Sequence, residues 1–321
     1  MSQPVGQSPA RFVGIDVGGT KALGVALDAS GHVVAEQTRP TPRGPDSLGP
    51  LIDTLVELAG SLGVETTLGV GVPGLVNRAG VLQAAPNLDG VAHFDVAGRL
   101  RAVFAGREMR IEVDNDATCA TVTEWRLGAG TGVSDLVLVT LGTGIGGGLV
   151  VNGELVHGRN GFAGEFGHMV VDPTGPLCPC GRRGCWERYA SGSGLAMLAR
   201  EAAIARRCQA VVELAGGDPQ DVRGEHVQSA ARDGDAEALA VIDEFARWVA
   251  LGLSNLTNAL DPEMFVLGGG LAAGADLYLD RIVAWFGELL YQPHLREIPR
   301  IEFATSGPRA GAIGAALLPT L

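Results

Sequence analysis

Three of the five cysteines in this 321-residue chain lie within eight residues, and a histidine precedes the first of them by ten residues. The four side chains are His168, Cys178, Cys180 and Cys185. Thiolate sulfurs and imidazole nitrogens close tetrahedral Zn²⁺ sites, and four protein ligands leave no position for water. The spacing therefore predicts a structural zinc ion, and three unrelated buried or reactive thiols are the less favoured alternative.

Two glutamates, Glu165 and Glu187, flank this cluster. Ionised carboxylates accept hydrogen bonds from hydroxyl groups, and a loop held by a metal fixes the positions of those acceptors. The combination predicts a zinc-stabilised loop that binds a polar ligand.

Two glycine-rich turns, Asp16–Lys21 and Leu141–Gly148, have the composition of phosphate-binding turns. Successive backbone N–H groups in such turns form anion-binding nests, and Asp16 suits Mg²⁺ directly or through water. An ordinary glycine hairpin is an equal alternative for the first turn. The second turn is followed by Leu149–Val151, which is typical of a strand, and a Rossmann dinucleotide site would require a helix there.

The triplet Asp114-Asn115-Asp116 follows a predicted strand and precedes a predicted helix. A carboxylate at this place can accept the proton of a substrate hydroxyl, while an amide beside it holds the substrate. The alternative is a helix N-cap, which is the commoner use of Asn and Asp before a helix.

The hydrophobic pattern predicts the elements that position these residues. Strands are predicted at 12–17, 22–27, 33–38, 68–72, 109–113, 136–141, 149–151, 264–267 and 300–304. Helices are predicted at 48–62, 118–127, 191–204, 236–260 and 310–318. Each half of the chain opens with a strand, a glycine turn and a returning strand, which indicates a duplicated α/β nucleotide-binding fold.

Composition excludes several classes of protein. The net charge of −12 argues against nucleic acid or an anionic membrane as a partner. The uncharged stretch 136–152 is shorter than the ~20 residues of a membrane span and is rich in glycine. The odd cysteine count favours a reducing compartment, so we expect a cytoplasmic protein. The polar N-terminus has no apolar run and is not typical of a signal peptide.

Together these motifs resemble the ROK family of sugar kinases and repressors over nearly the whole chain from Phe12 onward. The matching stretches are 16–21, 72–74, 86–87, 115–117, 141–148, 164–168, 178–187 and 268–270. The histidine, cysteine and glutamate block is specific, whereas short glycine turns recur in many folds. Within the family, Cys185–Gly192 is most similar to the bacterial glucokinases.

The resemblance implies an α/β fold of the actin-like ATPase (ribonuclease H-like) type, with duplicated domains around a central cleft. It implies a first α/β domain over 12–117, to which a C-terminal helix at about 308–321 returns. A larger α/β domain over 118–307 would carry the zinc loop, and residues 1–11 would form a flexible tail.

The resemblance also implies ATP-dependent phosphorylation of glucose at its 6-hydroxyl, with ATP and Mg²⁺ bound between the domains. Asp116 would be the general base. The sugar-binding residues would be Gly74, Asn87, Asn115, Asp116, Glu165, His168 and Glu187, with His168 serving both zinc and sugar. The nucleotide and its metal would be bound by Asp16, Gly18, Gly19, Thr20, Lys21, Thr143, Gly144, Gly269 and Gly270. Thr118 departs from the Asn common in the family.

Several alternatives stay open at this point. The hexose could be N-acetylmannosamine, N-acetylglucosamine, fructose or allose. The donor could be polyphosphate, although the chain has no run of basic residues to bind such a long polyanion. A ROK repressor is disfavoured because only about ten residues precede the first strand, too few for a DNA-binding helix pair. Family analogy also predicts a homo-oligomer, either a dimer or a tetramer.

Overall fold

The computed structural model describes residues 12–44, 46–85 and 91–321. The predicted tail at 1–11 and the predicted sugar-binding residue Asn87 lie outside the described residues. The chain divides into two compact units. Within the described residues, the first unit comprises 12–132, Leu155–Gly164 and Thr305–Leu321, and the second comprises Val133–Glu154 and Glu165–Ala304.

The secondary structure of the described residues alternates strands and helices along the chain. The strands are β1 (Phe12–Val17), β2 (Lys21–Leu27), β3 (Val33–Pro40), β4 (Thr67–Val72), β5 (Leu75–Val76), β6 (Val81–Ala84), β7 (Phe94–Asp95), β8 (Arg110–Asn115), β9 (Leu136–Leu141), β10 (Ile145–Val151), β11 (Glu154–Leu155), β12 (Met264–Gly268) and β13 (Arg300–Phe303). The helices are α1 (Leu48–Ser61), α2 (Val96–Val103), α3 (Asp116–Leu127), α4 (Glu187–Ala190), α5 (Gly192–Ile204), α6 (Gln209–Leu214), α7 (Gly224–Arg232), α8 (Ala236–Leu260), α9 (Ala275–Leu289) and α10 (Ala310–Leu317).

The first unit is built on a five-stranded sheet in the order β3-β2-β1-β4-β8. Strands β1 and β2 form an antiparallel hairpin, whereas β1, β4 and β8 run parallel. The parallel strands are apolar because both of their faces are covered, and Ile15 and Leu68 are fully buried. In register, Asp16 lies opposite Gly71, which lies opposite Asp114. The polar residues at the ends of β1 and β8 are therefore held at the same level of the sheet.

Helix α10 packs directly on this sheet because the strands beneath it carry glycine. A Cβ atom at Gly14 would overlap the carbonyl oxygen of Ala312, and one at Gly69 would overlap that of Ala315. Any larger residue at either position would push the helix away from the sheet.

Helix α3 belongs to the first unit and packs against the chain that enters α10. The Thr123 hydroxyl donates to the carbonyl oxygen of Ala310 at 2.5 Å. The buried Glu124 carboxylate accepts backbone N–H bonds from Ala129, Thr305 and Ser306. A buried charge is tolerated only with such partners, so Glu124 ties these two stretches of chain to the helix.

The second unit is built on a five-stranded sheet in the order β11-β10-β9-β12-β13. Strands β9 and β10 are antiparallel, whereas β9, β12 and β13 run parallel. This order and these directions repeat those of the first sheet, so the duplication predicted from the glycine turns is confirmed. The described residues contain no helix that is both long enough and apolar enough to cross a membrane.

Candidate functional site

The triplet Asp114-Asn115-Asp116 spans the end of β8 and the start of α3. Asn115 is the N-cap, and its Oδ1 atom accepts from the backbone N–H groups of Ala117 at 2.8 Å and Thr118 at 3.2 Å. The capping interpretation is thus confirmed. The amide nitrogen of Asn115 also donates to the Gly74 carbonyl oxygen at 3.0 Å, so this side chain is held from both ends.

Asp116 occupies the first turn of α3, where the helix dipole favours a carboxylate. Its Oδ1 atom accepts from the Ala117 N–H at 2.9 Å. Burial raises the pKa of Asp16 to about 7, and the charge of Asp116 contributes to the same shift. The ends of β1 and β8 thus bring together two interacting carboxylates, one suited to a metal and the other to a substrate proton.

The first glycine turn is the tight connection between β1 and β2. The N–H of Gly18 donates to the Lys21 carbonyl at 2.9 Å. The Gly18 carbonyl accepts from the Thr41 hydroxyl at 2.7 Å, and the Gly19 carbonyl accepts from Arg43 at 2.7 Å. Gly18, Gly19 and Lys21 are not buried. The turn is therefore a hairpin, as the alternative reading predicts, and it is fixed and accessible to an anion.

The second glycine turn borders a cavity of about 710 Å³ in the second unit. The cavity is lined by Leu141, Gly142, Thr143, Gly192, Ser193, Ala196, Arg200, Arg223, Gly224, Glu225, Gln228, Gly270, Leu271 and Ala273. Gly269 has a φ of 83° and a Cβ atom there would lie 2.7 Å from the Leu141 backbone, so only glycine fits. The volume and lining suit a nucleotide-sized ligand.

The cysteine loop, Cys178–Glu187, and the preceding His168 bring the four predicted metal ligands together. One ligand atom from each of His168, Cys178, Cys180 and Cys185 lies within 4.8 Å of all the others. The Sγ atoms of Cys180 and Cys185 are 3.5 Å apart, and the Nδ1 atom of His168 is 3.9 Å from the Cys178 Sγ atom. A Cys₃His set at these separations fits a tetrahedral metal ion.

Glu165 and Glu187 flank the imidazole of His168. The His168 Nε2 atom is 3.9 Å from Glu165, and its Nδ1 atom is 3.7 Å from Glu187. Burial raises the pKa of Glu165; the neighbouring His168 opposes this shift and Glu187 adds to it. A Cβ atom at Gly144 would lie 2.7 Å from a Glu187 oxygen, so the second glycine turn also borders this group.

An aromatic cluster under the cysteine loop supports Glu187. Trp186 is fully buried, and its indole N–H donates to the Trp248 carbonyl at 2.8 Å. The Trp248 ring stacks on Tyr189 with centroids 4.0 Å apart. A Cβ atom at Gly252 would overlap the Trp186 ring, so α8 provides space for it only because residue 252 is glycine.

Comparison with known proteins identifies the chain at the level of family. The sequence profile of the ROK family matches residues 12–320. The chain belongs to the ROK family. It is 36% identical to the glucokinase of Streptomyces coelicolor over 95% of this chain and 96% of that protein. It is also 36% identical to the N-acetyl-D-glucosamine kinase of Pectobacterium atrosepticum, over 96% of this chain and 98% of that kinase.

A solved ROK structure has the same fold. The ROK family glucokinase of Streptomyces griseus, in complex with glucose and AMPPNP, is 36% identical and aligns with a TM-score of 0.81. The alignment covers 96% of this chain and 98% of that protein. The predicted family and the predicted actin-like ATPase fold class are thus confirmed.

In this ROK protein, the predicted site residues fall into local groups. In the first unit, Asn115 donates a hydrogen bond to Gly74, and the charges of Asp16 and Asp116 interact. Gly74 has a φ of 108°, so glycine is required there as well. In the second unit, Glu165 and Glu187 lie beside the predicted metal ligand His168. Thr143 and Gly270 line the cavity.

Sequence reasoning missed other parts of the site. It assigned no function to α5 and α7, whose residues Arg200 and Gln228 line the cavity, because helix patterns give no sign of the face that lines a pocket. A single histidine in a loop also gives no sequence signal, yet the structure places the Nε2 atom of His157 2.7 Å from the Oδ2 atom of Asp114.

Proposed function

We propose that this protein is an ATP-dependent glucokinase, which transfers the terminal phosphoryl group of ATP to the 6-hydroxyl of glucose. The observation that carries the proposal is the 36% identity, across 96% of the chain, to a ROK glucokinase whose structure contains glucose and AMPPNP, an analogue of ATP. The local geometry of both units supplies the chemical groups that such a reaction needs.

Asp116 is the general base in this proposal. Its carboxylate accepts the proton of the 6-hydroxyl as that oxygen attacks the phosphorus atom. Phosphoryl transfer depends on positioning and electrostatic support more than on covalent chemistry, so a base fixed on the first turn of a helix suits it. Asp16 would hold Mg²⁺ directly or through water, and that ion would neutralise charge on the phosphates.

The remaining sugar hydroxyls are assigned to Glu165, His168, Glu187 and Asn115. The two carboxylates accept hydrogen bonds, and the amide and imidazole can donate them. The Nδ1 atom of His168 faces the thiol of Cys178, which leaves Nε2 on the side of Glu165 for the sugar. Gly74 lines the pocket by presenting backbone, and Asn87 keeps its predicted role.

The nucleotide is assigned to the glycine-rich segments of both units. Gly18, Gly19, Thr20 and Lys21 form the first phosphate turn. Thr143 and Gly144 form the second, while Gly269 and Gly270 allow the adenosine to approach the backbone. The cavity beside Thr143 and Gly270 supports this assignment.

The metal in the cysteine loop is proposed to be Zn²⁺, held by His168, Cys178, Cys180 and Cys185. The geometric convergence of the four ligand atoms supports this choice. Zinc held by four protein ligands has no open position and stabilises the loop without activating water. Metal analysis of the purified protein tests the assignment, with about one zinc per chain expected.

The test of the function is ADP release from Mg·ATP with a panel of hexoses, against the sugar-free reaction. We expect strong release with glucose. Preferential release with N-acetyl-D-glucosamine would instead favour the second candidate, since the Pectobacterium kinase is equally identical to this chain. No ADP release with any hexose, together with no sugar phosphate formed from polyphosphate, would contradict the kinase proposal. Light scattering of the same sample tests the predicted homo-oligomer.

A further inference from the structure

His157 pairs with Asp114, the buried first residue of the Asp114-Asn115-Asp116 triplet. The His157 Nε2 atom lies 2.7 Å from the Asp114 Oδ2 atom. Asp114 is only 6% exposed. Its other oxygen, Oδ1, accepts from the backbone N–H of Asn115 at 2.7 Å. One carboxylate therefore joins the imidazole to the backbone of the residue that precedes the proposed base.

The segment that carries His157 is itself fixed on the first unit. The Arg78 guanidinium donates to the Gly158 carbonyl at 2.8 Å, and the Ala163 N–H donates to the His157 carbonyl at 3.2 Å. A Cβ atom at Gly161 would lie 2.6 Å from the Val76 carbonyl oxygen, so this segment lies directly on the chain after β5. His157 is thus a fixed partner of Asp114.

The charges around this pair are mostly negative. Burial raises the pKa of the Cys119 thiol, and the charges of Asp114, Asp16 and Asp116 raise it further in that order. All three carboxylates therefore lie near the start of α3. The charged groups that face His157 are Asp114 and Glu112 from β8 and Arg78 from the chain after β5. The imidazole donates to a carboxylate within an acidic cluster.

We infer that His157 is a positioning residue for phosphoryl transfer, because it holds Asp114 and thereby fixes the turn that presents Asn115 and Asp116. The inference rests on the proposed function. Without the imidazole, a buried carboxylate loses one of its partners and must find another. The Asn115 backbone moves with it, and a displacement of ~1 Å at a reacting group costs up to about a hundredfold in rate.

The test compares three variants in the hexose assay. His157→Ala removes the partner of Asp114, and we expect kcat to fall about tenfold or more. Glucose affinity, measured by calorimetry, should change less than kcat because most proposed sugar ligands lie elsewhere. His157→Gln supplies a neutral N–H donor and should restore most of kcat. His32→Ala is the matched control: His32 also pairs with a carboxylate, Asp28, but at the far end of the β1–β2 hairpin from Asp16, and its variant should retain near-normal kcat.

The pH profile separates positioning from a general structural role. The hydrogen bond to Asp114 raises the pKa of His157, so the kcat of the wild type should show a limb on the alkaline side of the ordinary imidazole pKa that His157→Gln lacks. A normal kcat and an unchanged profile in His157→Ala would overturn the inference, and so would an equal loss in His32→Ala.

The wild-type assay separates this inference from the proposed function. Turnover of any hexose by the wild type supplies the baseline against which the variants are judged. Absence of all turnover would refute the proposed function and the positioning role with it. Normal wild-type turnover with insensitive variants would refute the positioning role alone.

Discussion

The proposed catalytic turn, Asp114–Asp116, and the cysteine loop, Cys178–Glu187, are stabilised by different kinds of interaction. In the turn, protein groups satisfy one another: Asn115 caps α3, and Asp114 bonds to backbone and imidazole. In the loop, three thiols and an imidazole converge, and thiols are weak hydrogen-bonding groups. A metal ion bound by these four side chains would offset the cost of bringing them together, because its binding free energy would add to the stability of the fold. The turn is therefore self-supporting, whereas we expect the loop to depend on its ion.

The comparison teaches that the two regions can be broken independently. A change in the turn should stop chemistry and leave the zinc in place. A change in the loop should release the zinc and weaken sugar binding while α3 and its cap stay intact. Each experiment therefore needs one readout from each region.

The largest effect is expected for Asp116→Asn. The amide cannot accept the hydroxyl proton, so kcat should fall by about 10²- to 10⁴-fold. Zinc content and glucose affinity should stay near normal, because the metal ligands and three of the proposed sugar ligands are in the second unit. The checks are the ADP-release assay, metal analysis and calorimetry.

The matched control is Asp235→Asn, which changes the acidic N-cap of α8 in the same way. Asparagine caps helices as well as aspartate does, so its kcat should be unchanged. If Asp116→Asn turns over glucose at the normal rate, Asp116 is not the base.

A second large effect is expected when the loop loses its ion. Cys180→Ser should reduce the zinc content and weaken glucose binding at least about tenfold. A chelator should do the same to the wild type. The buried thiol of Cys208 lies outside the cluster, so Cys208→Ser is the control and should keep its zinc. Full glucose affinity in a zinc-free protein would show that the loop, like the turn, supports itself.

Much of this fold could be predicted because its strands and long helices bury regular apolar patterns. Strand β1, strand β9 and helix α8 have the predicted bounds. The sheet β5-β6-β7 was missed because strands of two to four residues carry no measurable alternation. Helix α9 was also missed, although Tyr278, Ile282 and Phe286 are buried at four-residue steps that could have indicated it.

The site was predictable where residue type and spacing carry the chemistry. The four metal ligands are close in sequence, so their convergence follows from a short loop. The pairing of His157 with Asp114 joins residues 43 positions apart through the fold, and a single histidine in a loop gives no sign of it. Likewise, the cavity depends on which faces of α5 and α7 turn towards it.

A moderate effect is expected for Gly252→Ala, which tests what supports the loop besides the metal. The new methyl group would overlap the Trp186 ring and displace the residue that precedes Glu187. Overpacking of this kind lowers the free energy of unfolding by about 1–3 kcal/mol, which thermal or urea unfolding would measure.

Gly287→Ala is the control for that substitution. Residue 287 also lies within a helix, and a Cβ atom there would meet nothing within 4 Å. Alanine should therefore raise the stability by about 0.5–1 kcal/mol. Equal effects of the two substitutions would mean that the Trp186 contact does not matter.

The smallest effect concerns the self-supporting turn and its dependence on pH. The hydrogen bond to Asp114 raises the pKa of His157 above its ordinary value of about 6.5, against an opposing effect of burial. Since the folded pKa exceeds the unfolded one, the pair stabilises the fold fully below the unfolded pKa. This stabilisation disappears as the pH rises through the folded pKa. Urea unfolding of wild type and His157→Gln between about pH 5 and 9 should show a difference that shrinks as pH increases. A difference that grows with pH would mean that the fold favours the neutral form of His157. The charge of the imidazole would then not stabilise the turn.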